Sequence, residues 1–128
     1  MSDDPGPESM TQKTFTGSCH CGAVRYEVTM TPPQKAVACN CSHCARAGWL
    51  LAFVPADTFT LLAGEDQLQE YQFNRKHIHH LFCRTCGMHP FSRGKDRNGK
   101  LTVSINLRCL PELDADKLPV QHFDGKSL

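Results

Sequence analysis

Seven of the eight cysteines in this 128-residue chain fall into three tight groups: Cys19 and Cys21, then Cys39, Cys41 and Cys44, then Cys83 and Cys86. Thiols crowded in this way can form disulfides, cycle between redox states, or hold a thiophilic metal. The first dozen residues, MSDDPGPESMTQ, are acidic and polar and lack the basic start and apolar stretch of a secretory signal. The chain is therefore expected in the cytoplasm, where thiols stay reduced and disulfides are a poor default. Clustered spacing in that setting points to zinc.

Four thiolates around one zinc each lie about 2.3 Å from the metal, which sets neighbouring sulfurs roughly 3.8 Å apart. In "GSCHCGAVRYEV" the two thiols are one residue apart. On a flat strand they would share a face with Cα atoms ~6.5 Å apart, too far for both sulfurs to reach one ion. The backbone must bend, and Gly22 directly after Cys21 suits that bend. "CRTCG" is a CxxC knuckle whose Gly87 can take the positive φ that closes the turn. Each pair supplies two ligands and needs a second pair. Joined through one ion, they would pin the N-terminal strand to a segment about sixty residues away.

The middle group, "CNCSHC", offers three local ligands, Cys39, Cys41 and Cys44, with no obvious fourth. Three protein ligands and one open position are the usual layout of a catalytic zinc. Water could fill the opening, or an external thiol, which would lose its proton on the metal. Spacing leaves alternatives open. Cys109, His43 or His89 could close the shell and make this site structural too, and spacing does not say which clusters share an ion.

The elements that must carry these groups read mostly as short strands. Residues 23–29 alternate, with Val24, Tyr26 and Val28 against Arg25, Glu27 and Thr29, and Pro32-Pro33 ends the run. Residues 35–41 can be extended through Cys41. The apolar run 50–54, ended by Pro55, reads as a buried strand, with a turn over 55–58. Further strands are expected over 59–62, 68–73 and 78–82, with a turn at Asn74. The clearest alternation sets Leu101, Val103, Ile105 and Leu107 against Thr102, Ser104 and Asn106, after a polar hairpin loop in "RGKDRNGK". Only 111–118 reads as a helical turn or two. Many short strands separated by turns predict an all-β domain.

Size and composition agree. The chain suits one domain with its own core, and 40% apolar with 21% charged residues is a globular balance. Residues 1–13 read as a flexible arm and 14–128 as a single zinc-binding domain. No apolar run approaches the roughly 18 residues of a membrane helix. The formal charge of +1 falls to about −2 once seven thiolates and two zinc ions are counted, which argues against nucleic acid as a partner.

The order "GSCHCGAVRYEV", "CNCSHC", "FCRTCGMHPF" resembles the glutathione-dependent formaldehyde-activating enzyme family, also called centromere-protein-V-like. The similarity runs from about Thr14 to Gly125, and "LLAFVPAD" and "NLRCL" also resemble family segments. The resemblance implies a small all-β zinc domain of packed antiparallel sheets, similar to the β-tent fold of a Rab-binding chaperone. It implies two zinc ions per chain, a structural one on Cys19, Cys21, Cys83 and Cys86 and a catalytic one on Cys39, Cys41 and Cys44. The implied activity is addition of glutathione to formaldehyde and its reversal, a carbon–sulfur lyase reaction. A substrate with two carboxylates calls for arginine near the mouth. Arg46, two residues past Cys44, is the best-placed candidate, followed by Arg84 and Arg93.

Other residues carry lesser expectations. His77 and His79 share a face in "KHIHHLF" and could bind a metal, although a strand with polar edges is the plainer reading. His89 could relay a proton. His43 lies in the loop of the trio and can point outward, Cys109 reads as a small buried apolar residue, and Trp49 as core or as the floor of a pocket. Against the enzyme stands a non-catalytic zinc module that binds a protein partner, and more weakly a thiol redox protein.

Overall fold

The computed structural model describes residues 12–72 and 78–127. Its strands are β1 (Lys13–Ser18), β2 (Arg25–Met30), β3 (Ala36–Cys39), β4 (Leu51–Pro55), β5 (Phe59–Ala63), β6 (Leu68–Tyr71), β7 (His79–Cys83), β8 (Phe91–Lys95), β9 (Leu101–Asn106) and β10 (Val120–Phe123). Among the described residues one α-helix, α1 (Ser42–Ala47), and short 3-10 turns join them. The protein is all-β as expected, and none of its described helices is long and apolar enough to cross a membrane.

Two sheets form. One has the order β1-β2-β5; the other runs β10-β3-β4-β9-β8-β7-β6. All pairings are antiparallel except β10 with β3, which is parallel. Period two decides what each face of the large sheet does. Register places Val54, Val103, Ile105, Phe91 and Leu81 on one face. These side chains are buried and pack against Phe15, Tyr26 and Val28 of the small sheet. The rings of Tyr26, Phe59 and Phe91 meet at centroid distances of 4.6–5.6 Å and form the centre of the core. Each such side chain contributes about 1.5–3 kcal/mol by leaving water. The opposite face carries Val37, Leu51, Asn106, Ser92 and His80. A smaller apolar cluster of Cys44, Trp49 and Leu51 sits on it.

Several expectations need correction. The extended run does not reach Cys41, because β3 stops at Cys39 and Cys41 becomes the N-cap of α1. The Cys41 sulfur accepts from the Cys44 amide at 3.3 Å, filling the role that serine or aspartate usually plays. Gly48, at φ 69°, ends the helix by donating to the Cys44 carbonyl. The 50–54 run is not buried throughout, since Phe53 is 54% exposed on the face that the small sheet does not cover. Arg93 to Lys95 belong to β8 rather than to the loop. Asp96 builds the turn by accepting from the Asn98 and Lys100 amides at 2.9 Å each. Strands β1, β8 and β10 were not foreseen, and Lys13 already pairs with Met30. The helical expectation in 111–118 is met by a 3-10 turn at Ala115–Lys117, capped by Asp114. Residues 1–11 of the expected arm, together with Phe73, Asn74 and His77, lie outside the described residues.

Gly17 shows how tightly the small sheet is fitted. It lies opposite Tyr26, and a β-carbon there would collide with the hydroxyl end of the phenol ring. Tyr26 in turn donates to the Pro90 carbonyl at 3.4 Å, so the ring has nowhere to retreat. Gly17→Ala is expected to lower stability by about 1–3 kcal/mol, seen as a fall in the urea midpoint without a change in slope.

Candidate metal centre

Cys19 and Cys21 sit in the turn between β1 and β2. The Cys19 amide donates to Val24 and the Gly22 amide to Cys19, at 3.1 and 3.3 Å, and Gly22 adopts φ 83°. This is the bend that a CxC pair requires. Cys83 ends β7, and the knuckle after it closes through Gly87 donating to Cys83 at 2.7 Å, with Gly87 at φ 79°. The two turns bring Cys21 Sγ to 3.7 Å from both Cys19 Sγ and Cys83 Sγ. All four sulfurs, including that of Cys86, lie within 4.8 Å of one another. These separations match the tetrahedron edge of roughly 3.8 Å expected around zinc. Amides also face the sulfurs, as the Val24 N–H does toward Cys19 at 3.4 Å. At Cys86 burial raises the thiol pKa, but the Cys21 and Met88 amides and the neighbouring sulfurs outweigh it and bring the thiol down to about 6. Donor type, spacing and thiolate-stabilising amides all fit a metal.

Cys39, Cys41 and Cys44 form the second group, again within 4.8 Å of one another. Cys39 ends β3, Cys41 caps α1 and Cys44 lies one turn into it. The Cys41 amide faces Cys39 Sγ at 3.5 Å. Burial raises Cys39. It raises Cys44 more, against the Trp49 indole N–H, which favours the thiolate although it falls short of hydrogen-bond geometry. At Cys41 burial is outweighed by the Cys44 amide and the flanking sulfurs, so that thiol is lowered. Among the described residues no fourth Cys, His, Asp or Glu donor joins this group. Cys109 does not: it is buried, pushed up to about 11 by burial and then by the charges of Cys19 and Cys86. It belongs beside the four-cysteine group.

A cavity of about 740 Å³ opens beside α1. His43, Arg46, Trp49, Tyr71, Cys86, Met88, His89 and Asn106 line it; of the trio Cys39, Cys41 and Cys44 none does, although α1 carries Cys44 and lines the cavity through His43 and Arg46. His43 therefore does not point outward. Its ring lies 4.2 Å from His80, 5.2 Å from His89 and 5.4 Å from Trp49. Burial lowers the pKa of His43, and that of His89 with help from the charge of His43. His80 falls to about 4 through burial and then the neighbouring imidazoles. The imidazoles do not converge on a common point as a metal group, and His79 instead meets Glu70 at 2.9 Å. Of the three arginines, Arg46 lines the cavity and donates to the Ser42 carbonyl at 2.9 Å. Arg84 does not line it, and Arg93 lies over the Phe91 ring on the other face.

The family model for the glutathione-dependent formaldehyde-activating enzyme matches residues 14–123. The chain belongs to this family. A crystal structure of a Rhodobacter sphaeroides protein, a structural-genomics target, is similar at 30% identity and a TM-score of 0.72. The match covers 83% of the present chain and 99% of that one. The matched residues include both cysteine groups, and both stand in a geometry that could hold a metal ion.

Sequence reasoning missed Asn106, Tyr71 and the placement of His80. Asn106 was assigned to the polar face of its strand, and that face is the one beneath the cavity. Its side chain donates to the His89 carbonyl at 2.9 Å and accepts from the Arg108 amide at 3.1 Å, fixing the turn that carries His89. The signal available was strand parity: His80 pairs with Ser92, Ser92 with Ser104 and Ser104 with Phe53, so all lie on the site face.

His80 gives a pH test. Its folded pKa is depressed, so the stability it contributes is present above about 6.5 and is lost as pH falls toward 4. Its ring-proton NMR resonances are expected to hold the neutral position at pH 6 and to move only as pH approaches 4.

Proposed function

We propose that this protein is a zinc-dependent carbon–sulfur lyase of the formaldehyde-activating type, handling the adduct of glutathione or another small thiol with an aldehyde. Residues 14–128 would act as one domain holding two zinc ions, a structural one on Cys19, Cys21, Cys83 and Cys86 and a working one on Cys39, Cys41 and Cys44. The observation that carries the reading is the donor count: three sulfurs in reach of one another, with no fourth protein donor joining them among the described residues. When bound there, zinc supplies the Lewis acidity that lowers the pKa of an incoming thiol.

The chain's own residues supply the rest. Amides of Cys41 and Cys44 face two of the sulfurs and hold their charge. The cavity beside α1 has room for the body of a tripeptide-sized thiol. Arg46 uses one N–H on Ser42, which steadies the guanidinium and leaves its other donors for a substrate carboxylate. Addition of a thiol to an aldehyde forms a carbon–sulfur bond and turns the carbonyl oxygen into a hydroxyl, so the proton leaving sulfur must reach oxygen. His43 and His89, kept neutral by burial at the cavity wall, can carry it in either direction. Trp49, Tyr71 and Met88 give that wall an apolar surface.

The test is formation of the glutathione–formaldehyde adduct, measured above the uncatalysed background with zinc counted in each sample. Wild type is expected to hold two zinc ions and exceed background; Cys41→Ser should hold one and fall to background. A two-zinc wild type running at background, with both ions equally resistant to chelator, would instead favour a zinc module that binds a protein partner.

A further inference from the structure

The C-terminal segment lies against the three-cysteine group. β10 runs parallel to β3 with Phe123 beside Cys39, and the Asn40 amide donates to the Phe123 carbonyl at 3.1 Å. The Asn40 side-chain amide then donates to Asp124 Oδ1 at 3.1 Å, and Ser127 Oγ donates to Asp124 Oδ2 at 2.7 Å. Asn40 sits between two of the three cysteines, so this tether fastens the tail to the loop that carries the donors.

The next residue is Gly125. It is not among the positive-φ glycines, so no backbone demand calls for glycine there. Space does. A β-carbon on Gly125 would lie 2.5 Å from Cys39 Sγ and 3.5 Å from Cys41 Cβ. An unstrained contact needs about 3.5–4.0 Å, so the first position is forbidden unless the sulfur moves.

We propose that residues 123–127 are a positioning strap for the Cys39–Cys41–Cys44 centre, with the bare Cα of Gly125 abutting the Cys39 sulfur and closing that flank. The strap holds Cys39 Sγ turned toward its two partners. The inference rests on the reading that this group binds zinc. It adds that Asn40, Asp124 and Gly125, none of them a ligand, set the geometry of the group.

Metal content and release test this without reference to turnover. Wild type loaded with zinc is expected to release one ion readily to a chromogenic chelator and keep the other. Gly125→Ala should push Cys39 aside, so that the protein retains one zinc, or releases the labile ion at least about tenfold faster, while the second ion and the circular dichroism spectrum are unchanged. Because that variant may simply misfold, Asp124→Ala and Asn40→Ala provide a second arm. They add no bulk and loosen the tether at an exposed site, and each should speed release of the labile ion by about tenfold, the effect of losing a hydrogen bond to a charged group. In cobalt-substituted protein the same variants should lose thiolate-to-metal charge-transfer intensity from one centre only. Two tightly held ions with wild-type release in all three variants would overturn the strap alone. A folded wild type that binds only one zinc would overturn the lyase reading and the strap with it.

Discussion

The meeting of two hairpin turns is the constraint on which the rest of the structure depends. The β1–β2 turn carries Cys19 and Cys21, and the β7–β8 connection carries Cys83 and Cys86; the sulfurs come within 3.7 Å across 62 residues of chain. The turns belong to different sheets, so this contact ties the small sheet to the large one at one end of the shared core. Four thiols at such distances cannot all ionise without a cation between them. At Cys21 the Ala23 amide lowers the thiol pKa, but burial and then the hydrogen bonds to Cys19, Cys83 and Cys86 lift it to about 11, while Cys86 is drawn down to about 6. A bound metal would turn that mutual repulsion into attraction. On a chain-entropy estimate a cross-link closing a loop of this size is worth about 4 kcal/mol.

The two faces of the large sheet then divide the work. One face meets Tyr26 and Phe15 and makes the core. The other is left uncovered by the small sheet, and α1 with the chain before and after it occupies part of that face. The cavity is what remains between α1 and the 86–89 turn. The 86–89 turn is fixed at two points: Asn106 holds the carbonyl of His89, and the Gly87 amide donates to the Cys83 carbonyl. Cys86 belongs both to the four-cysteine group and to the cavity lining, so the two sites share a residue.

What could be read from the sequence follows the range of the forces involved. The bends at the two cysteine pairs were legible because sulfur geometry around a metal is strict and Gly22 and Gly87 suit the turns it needs, whereas which clusters share a site was implied only by the resemblance. Strands such as β9 were legible because alternation is local. Helix α1 was not, because its N-cap is a cysteine, whose sulfur accepts from the Cys44 amide only in this turn geometry. Strand β10 was not, because all four of its residues are exposed and nothing in VQHF alternates with burial. The imidazole group was hidden for a different reason. His43, His80 and His89 come from a helix, a strand and a turn, and only the pairing of β7 with β8 and of β8 with β9 brings them together.

The two cysteine centres differ in a way that bears on which one can do chemistry. The four-cysteine group closes a long loop and joins two sheets, so a metal held there would be tied to the cohesion of the fold. The trio spans residues 39–44, a segment already organised by α1 and its capping bonds. Closing so short a loop yields about half the chain-entropy gain, and the segment keeps its shape by other means. A centre that the fold does not need for its own cohesion can exchange a ligand without unfolding the protein. On the proposed reading such a centre would leave one position to substrate, provided that something other than a fourth protein ligand keeps its donors aimed. In this chain the contacts available for that aim come from Asn40, Asp124 and the bare Gly125 against Cys39.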